Sequence, residues 1–199
     1  MRLCTAPLLY ELLWIRCVVQ YYSDEDHWHN FIEMDNVRDG WIRGIAAQHF
    51  VKSAVVLGGG CKHVTVADCA AAQWVGMISG SRRFAFQNNG CLNLFHDCHS
   101  DQGRHSFVMG GGVGPNVFLD CEATRPYGSS EPHGSLIVGT LYDNVKAPLA
   151  FRFARSAGGG RWMGFNSFAW NCEGVFLGAY STLDVTSLDF TYEIFAPFC

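Results

Sequence analysis

The chain has 199 residues, of which 49% are apolar and 16% are charged. This hydrophobic share excludes intrinsic disorder, and a net charge of −4 leaves no basic excess, so no nucleic-acid partner is expected. No uninterrupted apolar run approaches the roughly 18 residues that a membrane span needs. We therefore expect a single domain over residues 1–199 with no membrane partner, and this domain could be a fragment of a longer protein.

The first apolar segment of the chain looks like a signal peptide only superficially. Glu11 and Arg16 interrupt it, and no small-x-small cleavage site follows. We interpret Leu12–Val19 as the first strand and the alternating segment Leu188–Ile194 as the last. Exposed strand edges pair readily with other chains, so we expect self-association through these two ends.

A short motif, Asp or Asn followed by Cys, recurs along the chain after β-type runs. Its four copies are Asp68-Cys69, Asp97-Cys98, Asp120-Cys121 and Asn171-Cys172. The cysteines are separated by 29, 23 and 51 residues, and Asp143-Asn144 lies inside the longest gap. With Gly44-Ile45 added upstream, six rungs recur at a period of 23 to 29 residues, which indicates a solenoid.

A second short strand precedes each rung and is followed by turn-forming Gly or Asn in most copies. These strands are Phe31–Met34, Ala54–Leu57, Phe84–Phe86, Phe107–Met109, Leu136–Val138 and Met163–Phe165. The leucine-rich-repeat pattern is missing, so a parallel β-helix is favoured. We predict an all-β fold, a right-handed parallel β-helix of about six or seven coils, because parallel crossovers are almost always right-handed.

The rung position is expected to form an inward ladder of small side chains. Its members are Ile45, Cys69, Cys98, Cys121, Asn144 and Cys172. Stacked coils lie about 4.8 Å apart, whereas the Cβ atoms of an unstrained disulfide lie about 3.8 Å apart. We therefore predict that the four cysteines of this ladder form one buried column of reduced thiols.

Several runs in the rungs and loops carry a likeness to a known family. They are Asp24–Trp28, Gly103–Met109, Gly114–Cys121, Gly139–Asn144 and Trp170–Cys172. With them, the segment from about Leu13 to Gly174 resembles the right-handed parallel β-helix proteins of the pectin-lyase-like superfamily. The resemblance implies an extracellular or cell-envelope protein that acts on an acidic polysaccharide. The Trp-Ile-Asp-His signature of pectate lyases and the Asn-Thr-Asp, Asp-Asp and Gly-His-Gly set of polygalacturonases are both absent, so neither mechanism is carried over.

A His or Arg stands just before the upstream strand in most coils. The set comprises His27, His49, Arg82, Arg83, Arg104, His105, His133 and Arg161. In stacked coils these corners align into a ridge whose arginines could hold carboxylates bidentately and whose histidines could move a proton. The alternative is that each side chain caps a turn or packs over a neighbouring aromatic ring.

Within this ridge the residues receive separate predicted roles. His105 is predicted to transfer a proton, with Arg104 and Asp101 setting its charge and orienting its ring. Substrate binding is assigned to three ridge arginines, one ridge histidine and one loop tryptophan: Arg82, Arg83, Arg161, His133 and Trp162. Three tryptophans lie in loops, where they could stack on a sugar ring or pack within the loop: Trp28, Trp74 and Trp162.

The aspartates of the rungs form a predicted acid ladder. Its members are Asp68, Asp97, Asp120 and Asp143. They could cap turns by accepting backbone N–H bonds, or they could bind a bridging Ca²⁺, as some lyases of the family do. The segment from His96 to His105 is the densest in ionisable groups but has no diagnostic ligand spacing, so no metal ligand is assigned. Asp24–His27 is expected to form an exposed acidic loop or, alternatively, to contact a cation or sugar.

Two functional interpretations follow. The leading one is a polysaccharide-active lyase or glycoside hydrolase acting on an acidic glycan through the ridge. The alternative is a non-catalytic structural or carbohydrate-binding β-helix that stacks end to end, which the lack of an obvious N-terminal cap favours.

Overall fold

The computed structural model describes residues 24–111, 114–133, 137–151, 166–178 and 182–185, and these residues form strands without a helix. None of them therefore belongs to a helix that could cross a membrane. The strands are β1 Asn30–Met34, β2 Arg38–Arg43, β3 Ala46–Gln48, β4 Ser53–Leu57, β5 Lys62–Ala72, β6 Phe84–Asn88, β7 Leu94–Asp101, β8 His105–Met109, β9 Asn116–Leu119, β10 Glu122–Thr124, β11 Thr140–Asp143, β12 Leu149–Phe151, β13 Phe168–Trp170, β14 Gly174–Gly178 and β15 Thr182–Val185.

The strands stack as a parallel β-solenoid. One sheet has the order β13-β11-β9-β7-β5-β2, with β10 pairing with β7 and β3 with β5, and a second sheet has the order β1-β4-β6-β8. All of these pairs are parallel, and the chain alternates between the two sheets as it winds. The predicted all-β parallel β-helix is confirmed, but it makes about five turns rather than six or seven. The two predicted end strands, Leu12–Val19 and Leu188–Ile194, lie outside the described residues.

Aromatic side chains fill the interior between the sheets. Rings of successive coils have centroids 5.8 Å apart for Phe86–Phe107 and 5.2 Å apart for Phe118–Tyr142, and the rings of Phe107 and Phe118, on the two sheets of one coil, are 5.7 Å apart. Phe95 joins this column at 5.0 Å from Phe118. Each such pair contributes about 1 kcal/mol beyond the burial of its apolar area. The stack thus ties neighbouring coils together along the solenoid axis.

The Asp/Asn-Cys motif marks a corner in each coil. The first residue of each corner has a positive φ between 48° and 68°, the left-handed region. These residues are Gly44, Asp68, Asp97, Asp120, Asn144 and Asn171. Gly, Asn and Asp adopt this region at lowest cost, which explains why the corners are restricted to these types. The next residue then points inward, and Cys69, Cys98 and Cys121 are buried.

One rung of the predicted ladder is shifted by one residue. Asn144 occupies the left-handed corner, and the buried Val145 follows it, so the inward slot is Val145 rather than Asn144. Asp143 is in register with Leu119 and Trp170, and it therefore does not belong to the acid ladder. Two adjacent residues that both favour turns left the register ambiguous in the sequence.

The predicted column of reduced thiols is confirmed for its buried part. Cys69 and Cys98 are direct neighbours in the parallel register, and both are free, as is Cys121. Burial raises the pKa of the Cys98 thiol well above its usual range. Cys172 is also free but only partly buried, so the column is less shielded at its last rung.

The upstream strand differs from the prediction in the last coils. In the fifth coil Pro132 pairs with Met109 of β8, so this strand position precedes the predicted segment Leu136–Val138. After the fifth coil β12 takes the position, with Leu149 bridging to Ser130, whereas the predicted strand Met163–Phe165 lies outside the described residues. β12 pairs with β14 in parallel, and β15 then pairs with β14 in the antiparallel direction.

Candidate functional site

The two arginines that begin the third coil have protein partners. Nε of Arg82 donates to Oε2 of Glu25 at 2.8 Å. Arg83 is only 1% exposed, its Nε donates to the carbonyl of Gly76 at 2.7 Å, and its guanidinium lies 5.6 Å from the centre of the Tyr127 ring. The prediction that Arg83 lies on a solvent-facing surface is wrong, because the loop before β6 supplies its partner inside the protein.

Asp101 engages other partners than the predicted ones. Its carboxylate accepts hydrogen bonds at 2.9 Å from Nε of Arg125 and from Oγ1 of Thr124. These contacts, led by the Arg125 guanidinium, lower the pKa of Asp101. Instead of the predicted grouping with Arg104 and His105, Asp101 forms a pair with Arg125 of the next coil.

Arg104 and the acidic loop also form internal contacts. Arg104 donates to the carbonyl of Gly80, and its guanidinium lies 5.8 Å from the centre of the Phe84 ring. This is the packing over an aromatic ring that was the alternative interpretation of the ridge. In the predicted exposed loop, Asp24 is half-buried, and its Oδ2 lies 3.0 Å from Nδ1 of His27.

The loop tryptophans divide into two environments. Trp74 is buried, and its Nε1 donates to the carbonyl of Asp101 at 2.9 Å, so it packs within the fold. Trp28 is 80% exposed and lines an open cavity of about 490 Å³ beside β1. The predicted binding residues Arg161 and Trp162 lie outside the described residues.

Three titratable side chains converge where the fourth coil meets the fifth, and we call His105, Glu131 and His133 the histidine corner. Nδ1 of His133 lies 2.5 Å from Oε1 of Glu131, and Nδ1 of His105 lies 3.9 Å from the same oxygen. Nδ1 of His105 also donates to the carbonyl of Ser129 at 2.6 Å. The structure thus brings two predicted site residues together. It buries His105, however, which was expected to face solvent.

The backbone and one aromatic ring hold the histidine corner in place. Met109 of β8 donates its N–H to the carbonyl of Glu131 at 3.3 Å and accepts the N–H of His133 at 2.8 Å. The Phe84 ring contacts both imidazoles edge to face, with centroid distances of 5.2 Å. Burial lowers the pKa of His105, so its imidazole is neutral near pH 7.

A second candidate site lies on the outer face of the larger sheet, across β2, β5 and β7. It is an open cavity of about 650 Å³, which we call the outer groove. Its lining residues are Gly40, Trp41, Ile42, Arg43, Thr65, Ala67, Asp68, His96 and Asp97. Nε of Arg43 donates to Oδ2 of Asp68 at 2.7 Å across two coils. This partner of Asp68 is a side chain, not the backbone N–H expected of a turn cap.

Two carboxylates share one histidine beside the outer groove. Nε2 of His96 lies 3.2 Å from Oδ2 of Asp97 and 3.2 Å from Oδ2 of Asp120. Nδ2 of Asn144 donates to the other oxygen of Asp120 at 2.6 Å. A pair of close carboxylates can act as acid and base or as acid and nucleophile, and a histidine between them can hold or deliver a proton. The same three groups are spaced closely enough to hold a cation.

Sequence reasoning found some of these residues and missed others. Glu131 was missed because it lies in a Gly-, Pro- and Ser-rich segment without β alternation. Trp41, which lines the outer groove, received no role from the sequence. The offset between coils was the available signal: His96 and Asp120 are 24 residues apart, as are His105 and Ser129.

In comparisons with known proteins, no family model, no curated protein and no solved structure matched the chain. The function is therefore argued from the two sites themselves.

Proposed function

We propose that the protein binds a polysaccharide chain in the outer groove and cleaves it hydrolytically with the Asp97–Asp120 carboxylate pair. The observation that carries this proposal is the placement of the pair, with its shared histidine, beside an open groove that crosses three coils. The proposal keeps a polysaccharide substrate, but it moves the site from the ridge to the face of the larger sheet, and the charges there favour a neutral chain. A glycan substrate also agrees with the extracellular or cell-envelope location that the resemblance implies.

The shape of the outer groove supports binding of an extended chain. Its volume of about 650 Å³ falls within the roughly 300–1,000 Å³ of small-molecule sites. Three stacked coils at about 4.8 Å each give it length along the solenoid axis. Trp41 in the groove offers an indole ring on which a sugar can stack, and Thr65 offers a hydroxyl for hydrogen bonding.

The separation of the carboxylates supports one of the two hydrolytic routes. The Asp97 and Asp120 oxygens that face His96 lie within 4.8 Å of each other. Retaining glycosidases hold their carboxyl groups about 5–5.5 Å apart, whereas inverting ones need about 6.5–9.5 Å to admit a water. In the retaining route one carboxylate bonds to the anomeric carbon while the other protonates the leaving oxygen. Water then releases the sugar.

The charges of the groove favour a neutral chain over the acidic chain expected from the sequence. Among the described residues of the lining, Arg43 is the only lysine or arginine, and Asp68 already pairs with it. Asp97 adds a negative charge, and Asp120 lies close by. A uronate chain would meet like charge there, which disfavours binding.

The test is to incubate the protein with neutral and uronic-acid polysaccharides and to measure new reducing ends, with absorbance of unsaturated products reporting any lyase activity. We expect hydrolysis of a neutral glycan that falls at least about 100-fold in Asp97→Asn and in Asp120→Asn. These changes suit the corner because Asn144 and Asn171 already occupy it in other coils. Asp143→Asn, on the same sheet but outside the groove, is the matched control.

Three outcomes would contradict the proposal. Cleavage that survives in both variants would exclude the carboxylate pair. Unsaturated products from uronic-acid chains would establish a lyase instead. Binding of a glycan without cleavage by the unsubstituted protein, lost in Trp41→Ala, would establish the non-catalytic alternative.

A further inference from the structure

The histidine corner has no role in the proposed glycan site. It contains a carboxylate that is 2% exposed, flanked by two imidazoles from adjacent coils. A buried carboxylate is costly unless a positive group or a metal ion compensates it. The imidazole of His133 lies closest to the Glu131 carboxylate and is itself exposed. The buried carboxylate is therefore connected to solvent through His133.

We propose that His105, Glu131 and His133 form a binding site for a divalent transition-metal ion of the Zn²⁺ class. One nitrogen of each imidazole and one oxygen of Glu131 all lie within 4.8 Å of one another. Ligand atoms on a tetrahedral zinc with bonds near 2.1 Å lie about 3.4 Å apart. Small side-chain rotations therefore bring the three groups onto one ion.

The donor set selects the class of metal. Imidazole nitrogen suits Zn²⁺, Cu²⁺ and Ni²⁺, whereas Ca²⁺ takes oxygen ligands only. Two histidines and one glutamate are also a ligand set that zinc sites use with a fourth position left open. The exposed side of His133 gives that fourth position access to water. This site differs in both metal and place from the calcium considered for the acid ladder.

The surroundings of His105 resemble those of a metal-bound imidazole. Such a ring donates the N–H that does not face the metal to a carbonyl or carboxylate, which fixes its orientation. His105 donates Nδ1–H to the carbonyl of Ser129 at 2.6 Å, which leaves Nε2 to bind the ion; because Nδ1 is the nitrogen that lies 3.9 Å from Oε1 of Glu131, the ring has to shift when the ion binds. Gly128 lies against the same ring, and a Cβ there would meet Cε1 at 3.3 Å, so the glycine leaves the ring room that a side chain would take.

The test is titration of the tag-free full-length chain, freed of metal, with Zn²⁺ by calorimetry and with Co²⁺ by visible absorption. We expect one Zn²⁺ per chain, and we expect affinity to fall by at least about 100-fold in His133→Ala and Glu131→Gln. His133 is exposed and Gln is isosteric with Glu, so both variants should fold; circular dichroism verifies this. His99→Ala is the matched control, because His99 is an exposed imidazole 3.6 Å from Glu122 on another side of the solenoid.

Two results would overturn the metal site. Equal Zn²⁺ affinity in the unsubstituted protein and in His133→Ala would exclude the histidine corner. A thiolate-to-cobalt charge-transfer band in the near ultraviolet would show that free cysteines bind the ion instead. Neither measurement involves a glycan, so failure here leaves the hydrolase proposal standing, and failure of the hydrolase proposal leaves the metal site standing.

Discussion

The outer groove and the histidine corner use the same kinds of residue in opposite environments. In the groove, the Arg43–Asp68 pair has side chains that are 68% and 44% exposed, so water screens their attraction. In the histidine corner, Glu131 is excluded from water and its contacts act in a low dielectric. A solenoid can therefore keep one charged surface adaptable for a ligand and hold another group of charges in fixed geometry. Burial, rather than residue type, separates the two.

The largest effect that would test this comparison is expected at Arg83, the buried arginine whose carbonyl accepts the N–H of His105. Arg83→Ala removes a large buried side chain and leaves the Gly76 carbonyl without the donor that it has now. We expect the free energy of unfolding to fall by about 3 kcal/mol, measured by urea denaturation.

Arg125→Ala is the control for that change. Arg125 also has a positive φ, so alanine meets the same backbone strain at both positions. Its guanidinium pairs with Asp101 at the surface, where water screens the attraction, so a much smaller loss is expected than at Arg83. Equal losses in the two variants would mean that burial does not distinguish the arginines.

An intermediate effect is expected from acidification. Burial lowers the folded-state pKa of His105 below 6.5, so the unfolded chain binds more protons than the folded one in mildly acidic solution. Stability should therefore be greatest above about pH 6.5 and should decrease as the pH falls, levelling off below the folded pKa. Glu131 opposes this shift, whereas His133 and Arg104 add to it.

The measurement is the melting temperature between pH 8 and 5, compared with that of His105→Gln. This variant should lose part of the decrease because it removes the titrating group. His99→Ala should keep the whole decrease, since that imidazole is exposed. A pH dependence identical in all three proteins would contradict the assignment to His105.

A smaller effect concerns the left-handed corner beside the outer groove. Asp97 has φ of 50°, where a residue other than Gly, Asn or Asp costs about 1–2 kcal/mol. We expect Asp97→Ala to be about 1 kcal/mol less stable than Asp97→Asn in chemical denaturation. Both variants lose the charge of Asp97, so their difference reports on the backbone together with any hydrogen bond that the asparagine keeps to His96. Equal stabilities would remove the conformational explanation of the Asp/Asn-Cys motif.

This corner also explains which parts of the fold could be predicted from the sequence. The rungs at Asp68, Asp97 and Asp120 were found because a local backbone requirement repeats at a nearly constant interval. The same signal was ambiguous at Asp143-Asn144, because both residues tolerate a turn. The strand position at Pro132 was not predicted, because the segment around it lacks alternating apolar residues.

The candidate sites were harder to predict because they depend on contacts between coils. The burial of Arg83 depends on the Gly76 carbonyl, which a loop brings to it, and no pattern around Arg83 indicates this contact. Glu131 gained importance only when the winding placed it beside His105. The outer groove combines residues from three coils, so its lining depends on how these coils are aligned. An error of one residue in that alignment changes which side chains line the groove.

The smallest effect is expected at the exposed ion pair of the outer groove. Arg43→Ala should lower the free energy of unfolding by about 0.5 kcal/mol, because a surface pair gains little over solvation of its two ions. A double-mutant cycle with Asp68→Asn isolates the interaction, since asparagine keeps the left-handed corner at position 68. The coupling energy should be below about 1 kcal/mol and should shrink when salt is raised to 1 M. A coupling above about 2 kcal/mol that salt does not change would mean that the groove is as rigid as the histidine corner. The hydroxyl groups of a ligand could then not displace Arg43 and Asp68 from each other. The outer groove would be as rigid as the histidine corner, and the two regions would not differ in the way proposed.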